Sequence, residues 1–343
     1  VKIGLITESN LNANYRTFIP MRALAKRGHT IVWPSPTGQD APMRELLGCD
    51  LVHCYRRTDR LADLQRLSQR GVAICFDNDD DFSSADMGDD GRSAKALRHN
   101  KQLSRDMLKA ARIADVTTTP SEALAERYRA AGVDRVVVLE NHLPREAFGF
   151  ASKAKHEGIV VGWVAGREHR IDLERLPIAS AFRDLLKVHD ELRILTVGLR
   201  LPLSSDRYQH MVGVEFRDLL TVTARMDLGV AALADTSFNR ARSNVKLKEY
   251  SSGNTPWLAS PVGPYRALGE DQGGCLVADG DWKQALDELI RNPRRRKRLA
   301  KRGLRWAKTQ TIDRHIDAWE RAFLQAAGHS ADTLHRYPVP AAR

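Results

Sequence analysis

The segment from Asp227 to Ser260 restricts the fold of this chain more than any other. A short apolar run, Asp227 to Leu233 (DLGVAAL), reads as a buried parallel strand that ends in a loop. That loop carries Asn239, Arg240, Arg242, Ser243 and Asn244. A helical segment spans Ser243 to Ser252, and Pro256 to Ser260 (PWLAS) reads as a second short strand. Strand, polar loop, helix and strand make a βαβ unit, in which ligands bind beyond the carboxyl ends of the strands, where helix N-termini point. Lys246 and Glu249 lie three residues apart on one helical face, so both can meet the same ligand. The other reading of this pair is an exposed helical ion pair, worth about a few tenths of a kcal/mol.

At 343 residues the chain has room for two domains of roughly 150 residues each. Strand-like and helix-like segments alternate and 42% of residues are hydrophobic, as in ordinary globular α/β proteins. No run approaches the roughly 20 apolar residues that a membrane span needs. The opening VKIGLIT reads as a first strand and not as a signal peptide. Cys49, Cys54, Cys75 and Cys275 show no metal or redox spacing and are expected to be reduced, in a cytoplasmic protein. The net charge of +11 is unevenly placed: ten Lys/Arg and no Asp/Glu lie between Arg291 and Gln310. A solvated helix face, an anionic membrane surface and nucleic acid are the three readings of that run. No recognition motif or aromatic platform accompanies it.

Upstream, Lys2 to Thr7 reads as a strand, and a helix from about Tyr15 to Arg27 ends at Gly28, a natural cap. This crossover contains neither G-x-G-x-x-G nor G-K-[ST], so neither a dinucleotide fingerprint nor a P-loop is supported. Arg16 is either a surface arginine in a first helical turn or a ligand contact at the mouth of a cleft. Asp50 to Tyr55 is a buried strand with Arg56 and Arg57 just past its end. The next, Gly71 to Phe76, runs straight into Asp77-Asn78-Asp79-Asp80-Asp81, on the ligand side of a parallel sheet. A calcium loop of EF-hand type fails there, because its sixth position is Phe82 and its twelfth Gly88. An Asp-x-Asp metal site, an acidic run facing an acceptor, and a capping role for the next helix stay open.

Gly158 to Val164 begins a second alternation, and Gly166, Arg167, Glu168, His169 and Arg170 follow it. A helix from about Asp172 to Val188, with Asp172 as N-cap, comes next. A helix N-terminus flanked by Gly166, Arg167 and Arg170 is a ready anion site, since free N–H groups, dipole and guanidinium forks act together. His169 either joins that site or is a hydrogen-bonded loop histidine. Leu192 to Gly198 and Val214 to Phe216 read as strands. Thr311 to Ala327 reads as a last amphipathic helix, and Gly328 to Arg343 as a frayed tail.

The run Glu249-Tyr250-Ser251-Ser252-Gly253-Asn254-Thr255-Pro256 resembles the donor-binding core of retaining-type, glycogen-synthase-like GT-B glycosyltransferases, with Asn254 where that family usually has Gly. Ser243, Lys246, Glu249 and Tyr250 match the Ser-x-x-Lys-x-x-Glu-Tyr of one subgroup, and YRTFIPMRALAKRGHTIVW is similar to that subgroup's opening. The resemblance implies an α/β chain of two Rossmann-like domains facing each other across a cleft. It divides the chain into an acceptor-side domain over 1–141, a linker over 142–157, a nucleotide-sugar donor domain over 158–310, a crossover helix over 311–327 that returns to the N-terminal domain, and a flexible tail over 328–343.

The activity implied is metal-independent transfer of a sugar from a nucleotide-sugar to an acceptor hydroxyl, with retention, and no cofactor is expected. Lys246, Arg242 and Arg167 would stabilise the leaving diphosphate. Glu249, Ser243, Asn239, Gly166, His169, Arg170 and Tyr250 would hold the donor, with Glu249 on vicinal ribose hydroxyls. Arg16, Arg56, Asp77, Asp79 and Asp80 would face the acceptor. A lipid-linked or surface saccharide, a small natural product and a modified base in DNA are the acceptors open to it. The basic helix at 291–308 would serve an anionic one, through a peripheral contact with the inner membrane face or with nucleic acid. Ala241 departs from the pattern, standing eight residues before Glu249 where the common enzymes carry a first Glu. That keeps open a module that binds a nucleotide-sugar or nucleic acid without turnover; a sugar epimerase shares only the fold.

Overall fold

The computed structural model describes residues 1–35, 40–84, 94–150 and 156–328. It divides into two compact units. The first comprises Val1–Asp80, Lys101–Asn141 and the chain from Ile312; the second comprises Asp81–Asn100 and His142–Thr311. The expected tail beyond Gly328, and Gly88 of the calcium-loop test, lie outside the described residues, as do residues 151–155 of the expected linker.

Unit 1 is built on a parallel sheet of β1 (Lys2–Thr7), β2 (Thr30–Val32), β3 (Leu51–Tyr55), β4 (Ala73–Asp77), β5 (Val116–Thr119) and β6 (Val136–Val138), in the order β2-β1-β3-β4-β5-β6. Ile6 pairs with Cys54 and Cys54 with Phe76, which sets the register of the central strands. Strands such as LVHCY are buried along their whole length, as a sheet covered on both faces requires. Its helices are α1 (Ile19–Lys26), α2 (Met43–Leu46), α3 (Leu61–Gln69), α4 (Ala94–Ile113, which begins in unit 2), α5 (Glu122–Ala130) and the terminal one. The first expected helix opens with a wide π-type turn, Asn14–Phe18, before α1 takes over at Ile19.

Unit 2 repeats the plan with β7 (Ile159–Ala165), β8 (Leu192–Gly198), β9 (Tyr208–Met211), β10 (Leu228–Ala231), β11 (Trp257–Ala259) and β12 (Gly274–Leu276), in the order β12-β11-β10-β7-β8-β9. Its helices are α6 (Arg170–Arg175), α7 (Ile178–Val188), α8 (Phe216–Ala224), α9 (Ser237–Arg240), α10 (Val245–Ser252), α11 (Trp282–Arg291) and α12 (Pro293–Thr309). Residues 142–148 pack within this unit: Leu143 and Ala147 are buried with Leu220 and Ala307, and Leu143 N–H bonds to Gln310 O at 2.9 Å. The last helix, α13 (Ile312–Ala326), belongs to unit 1, where it packs on α1 and β4.

Two expectations fail here. Val214 to Phe216 is not a strand; the edge strand is β9, and Phe216 opens α8. Tyr208 anchors that edge, its hydroxyl 2.9 Å from Thr196 Oγ1 and 2.8 Å from Leu201 N. The helix expected from Asp172 to Val188 is broken, because Leu176 stands before Pro177 and takes an extended conformation (ψ 145°). Asp172 is not an N-cap either: α6 begins at Arg170, and Asp172 is a buried member of it.

Gly229 decides how α10 sits. A Cβ there would stand 2.7 Å from the Tyr250 ring, so only glycine lets that ring lie flat on β10. After α10, Asn254 takes a left-handed conformation (φ 56°). A glycine fits this position without cost, and Asn is the residue that best tolerates it.

Candidate functional site

Where β7 and β10 lie side by side, the chain leaves β7 toward β8 and leaves β10 toward β11, so the two exit loops part. A parallel α/β sheet binds its ligands at such a switch point. Asp172, fully buried, ties the two loops together. Its Oδ1 accepts from Ala234 N at 2.8 Å and from Asn239 Nδ2 at 2.7 Å, while Oδ2 lies 2.6 Å from His169 Nδ1. With Nδ1–H given to a carboxylate, His169 Nε2 is left as an acceptor, and Lys246 Nζ meets it at 3.1 Å. Lys246 also donates to Val164 O at the end of β7.

The charges follow from burial. Burial pushes His169 well below its ordinary value, and Lys246 and Arg242 push the same way, so the imidazole is neutral. Lys246 is pushed down to about 8 by burial with help from Arg242, against the opposing pull of Glu168, Glu249 and Asp172. Burial raises Asp172 to about 6, although the N–H of Ala234 and the charge of Arg242 lower it. Glu168 lies 3.2 Å from Arg242 Nη2; burial would raise it, but Arg242 and Lys246 together hold it below the usual carboxylate range. The Arg242 guanidinium rests 5.3 Å over the Phe238 ring.

Of the residues expected to meet a donor, Lys246, Arg242, His169 and Gly166 are brought together here. Arg167 and Arg170 are exposed on the same turn, and Ser243 is half-buried at the head of α10. Glu249 is buried one turn beyond Lys246, and Lys246 bonds inward, so the exposed helical ion pair does not occur. Tyr250 and Asn239 need correction. Tyr250 is fully buried, its hydroxyl accepting from Val164 N at 3.1 Å and donating to Val230 O at 2.8 Å. Asn239 spends its amide on Asp172 and on Ala234 O, beneath the surface. The helix-dipole seat also weakens, because the turn Arg167–His169 leads only into the six-residue α6. Cations, rather than the end of a long helix, gather at this turn.

Unit 1 has its own switch point, between β1 and β3. Arg16 is not at a cleft mouth: it is completely buried in a two-pronged pair with Asp77 (3.0 and 2.6 Å), and its Nη1 donates to Asn141 Oδ1 at 2.9 Å. Asp77 is occupied by this pair and by Thr118 Oγ1, so neither residue reaches an acceptor. Arg56, in the left-handed region (φ 59°), does cross the switch point, with Glu8 at 3.0 Å, Asp79 at 3.3 Å and Asp80 at 3.5 Å. The acidic run diverges, since Asp77 faces Arg16, Asp79 faces Tyr55 and Arg56, and Asp81 faces Ser83. Among the described residues no group of three or more His, Cys, Asp or Glu could hold a metal ion. A cleft of about 430 Å³ opens beside it, lined by Thr7, Ser9, Phe18, Arg22, Trp33, Pro34 and Ser35.

Sequence reasoning missed Glu168 and the true place of Asp172. The His-x-x-Asp spacing of His169 and Asp172, which puts both on one side of a helical turn, was the available signal.

No family model matches the sequence, and no curated protein does. Solved structures do. Sucrose-phosphate synthase from Thermosynechococcus elongatus is 14% identical with a TM-score of 0.62, over 95% of this chain and 97% of that one. An alpha-glucosyltransferase in complex with UDP and a 13-mer DNA containing an HMU base is 10% identical with a TM-score of 0.62, over 94% and 99%. Staphylococcus aureus TarM, in complex with fondaparinux, alpha-GlcNAc-glycerol and UDP, is 11% identical with a TM-score of 0.56, over 80% of this chain; the chain spans 55% of TarM. The chain has the GT-B fold. Unit 2 of this GT-B chain carries the Lys246–His169–Asp172 arrangement, and the return of α13 to unit 1 completes its sequence of elements. Among the described residues no helix is long and apolar enough to cross a membrane.

Proposed function

We propose that this GT-B chain is a glycosyltransferase that takes a nucleotide-sugar at the unit 2 switch point. The observation that carries the reading is the convergence of Lys246 and Arg242, backed by His169 and Asp172, over the carboxyl end of β7. Such a seat suits a diphosphate, and cations fixed there stabilise the charge that grows on a leaving group. Arg167 and Arg170, exposed on the adjoining turn, add reach toward the phosphates. Glu249 takes the ribose hydroxyls, with Ser243 and the backbone at Gly166 beside them.

The step runs with retention and without a metal. The acceptor oxygen bonds to the anomeric carbon on the face the diphosphate leaves, the bond from that carbon to the phosphate oxygen breaks, and the acceptor proton passes to the departing phosphate. Ala241, buried where the common enzymes have a carboxylate, leaves the sugar to Ser243 and backbone groups. The cleft at Phe18, Arg22 and Trp33, with Arg56 and its carboxylates, forms the acceptor side.

An anionic acceptor is favoured by α12. Arg294, Lys297, Lys301, Arg305 and Lys308 are exposed and spaced 3, 4, 4 and 3 residues apart, one stripe opposite the buried Leu299, Gly303 and Ala307. Arg295 and Arg302 face away to Glu270 at 2.8 and 3.2 Å. A lipid-linked glycan or DNA carrying a modified base fits such a stripe. A binder of nucleotide-sugars without turnover is the second reading, and Ala241 is what favours it.

The deciding experiment is release of nucleoside diphosphate from a panel of nucleotide-sugars offered with polyanionic acceptors, beside thermal shifts with the diphosphates alone. Release with one donor, abolished in Lys246→Ala protein that still folds, supports transfer. Stabilisation by a diphosphate without release from any donor favours the binder. No shift with any of them removes the donor site.

A further inference from the structure

We infer that Glu168 is a built-in counter-anion that competes with a ligand's phosphates for Arg242 and Lys246, so that the seat opens only when Glu168 is displaced. The inference rests on the donor-site reading above.

The carboxylate is folded back over its own turn. A Cβ built on Gly166 would stand 2.2 Å from Glu168 Oε2, so only a glycine lets the carboxylate lie against the chain there. Oε1 lies 3.2 Å from Arg242 Nη2 and 3.8 Å from His169 Nε2, the same nitrogen that Lys246 Nζ meets at 3.1 Å. An anion therefore already sits among the cations that the donor reading gives to the diphosphate.

The contrast with Asp172 shows what kind of anion it is. Asp172 is fully buried and holds Ala234, Asn239 and His169 at once, as a fixed structural carboxylate does. Glu168 leaves 36% of its side chain exposed, is held from outside its own turn by Arg242, and stands on a short turn with three rotatable bonds. Only the part-buried bond to Arg242 has to break for it to swing into water. A diphosphate entering the seat meets like charge while Glu168 stays, and repulsion between unpaired like charges in a partly buried site is large enough to decide occupancy. Once displaced, Glu168 returns when the diphosphate leaves, which favours product release.

The test is calorimetric titration of the full chain and its Glu168→Gln variant with UDP, ADP, GDP, inorganic pyrophosphate and uridine. The amide keeps the shape and removes the charge. The variant is expected to bind pyrophosphate and the cognate diphosphate about tenfold more tightly, with uridine unchanged. Glu168→Ala should shift affinity in the same direction, and thermal unfolding of both variants checks their fold. Equal or weaker diphosphate binding by Glu168→Gln, beside a wild-type chain that binds, overturns the inference and leaves the donor site standing; the carboxylate would then be ordering Arg242. An equal gain for uridine also overturns it, since charge competition does not reach a neutral nucleoside. If neither protein binds any diphosphate, the inference and the donor site fall together.

Discussion

Asp172, His169 and Lys246 form one line of hydrogen bonds, and its protonation sets when the seat is cationic. Lys246 in the folded chain titrates at about 8, below its ordinary 10.5. Its depressed value contributes stability present above pH 10.5 and lost as pH falls through about 8. Asp172 is displaced the other way, to about 6 from 3.8, so its contribution is full below pH 3.8 and lost as pH rises through about 6. At neutral pH both groups are ionised at a cost, and a bound anion offsets that of Lys246. A diphosphate raises Lys246, so its affinity should fall as pH rises above about 8, with proton uptake on binding. Titration calorimetry in buffers of different ionisation enthalpy measures that uptake, and Lys246→Arg, always charged, should abolish it. Affinity that does not change across this range would show that Lys246 does not touch the anion. Lys246 was legible in the sequence because it shares a helical face with Glu249. Asp172 was not: an acid at a helix start looks like a cap, whereas it lies inside α6, fully buried against the next exit loop. Arg16 and Asp77 illustrate the same limit, since a charge after a strand reads as ligand-facing whether its partner is a substrate or, as here, a carboxylate 61 positions away.

The element that aims Lys246 is α10, and Tyr250 is its fastener. Backbone pairing of β7 with β10 stops at Trp163 and Val230, and the Tyr250 hydroxyl bridges the next groups, Val164 N and Val230 O. Tyr250→Phe leaves both without that partner and should cost about 1–3 kcal/mol. A lower urea midpoint with an unchanged slope would show it, together with weaker diphosphate binding as α10 loosens. A midpoint equal to wild type would mean that the hydroxyl is dispensable. The βαβ alternation was legible because parallel strands are continuous apolar runs. Tyr250 was misjudged because the helix VKLKEYSS looks polar all round, and its burial is set by Gly229 on another strand. The stripe on α12 yields a separate test. If the acceptor is DNA, replacing Lys297, Lys301 and Arg305 with Gln should flatten the dependence of log K on log salt by about 0.9 per lost phosphate contact. An unaltered slope assigns the stripe to solvent.

Across the whole molecule, the last helix matters most to the unit that the chain begins with. Trp319 and Phe323 pack on the His53 ring with centroids 6.0 and 5.7 Å away, and Arg16 rests 5.1 Å over Trp319. Glu320 holds Arg27 at 2.9 Å and His29 at 2.8 Å. Trp319→Ala should destabilise unit 1 by about 3–5 kcal/mol. Limited proteolysis should then cut within 1–80 or 101–141 while 158–310 stays protected; equal protection of both would refute this division of labour. The return of the helix was foreseen through the resemblance and through its amphipathic face, but which residues it would cover could not be seen from periodicity alone. The same arrangement reaches into biosynthesis. A ribosome makes β1 long before Trp319 and Phe323, so the sheet that β1 belongs to lacks its cover until they emerge, whereas unit 2 has all its residues once Thr311 has been added. Of the two units, the one that opens earlier in the sequence is thus the later to finish folding, and during translation its open face is what a nascent-chain chaperone would meet.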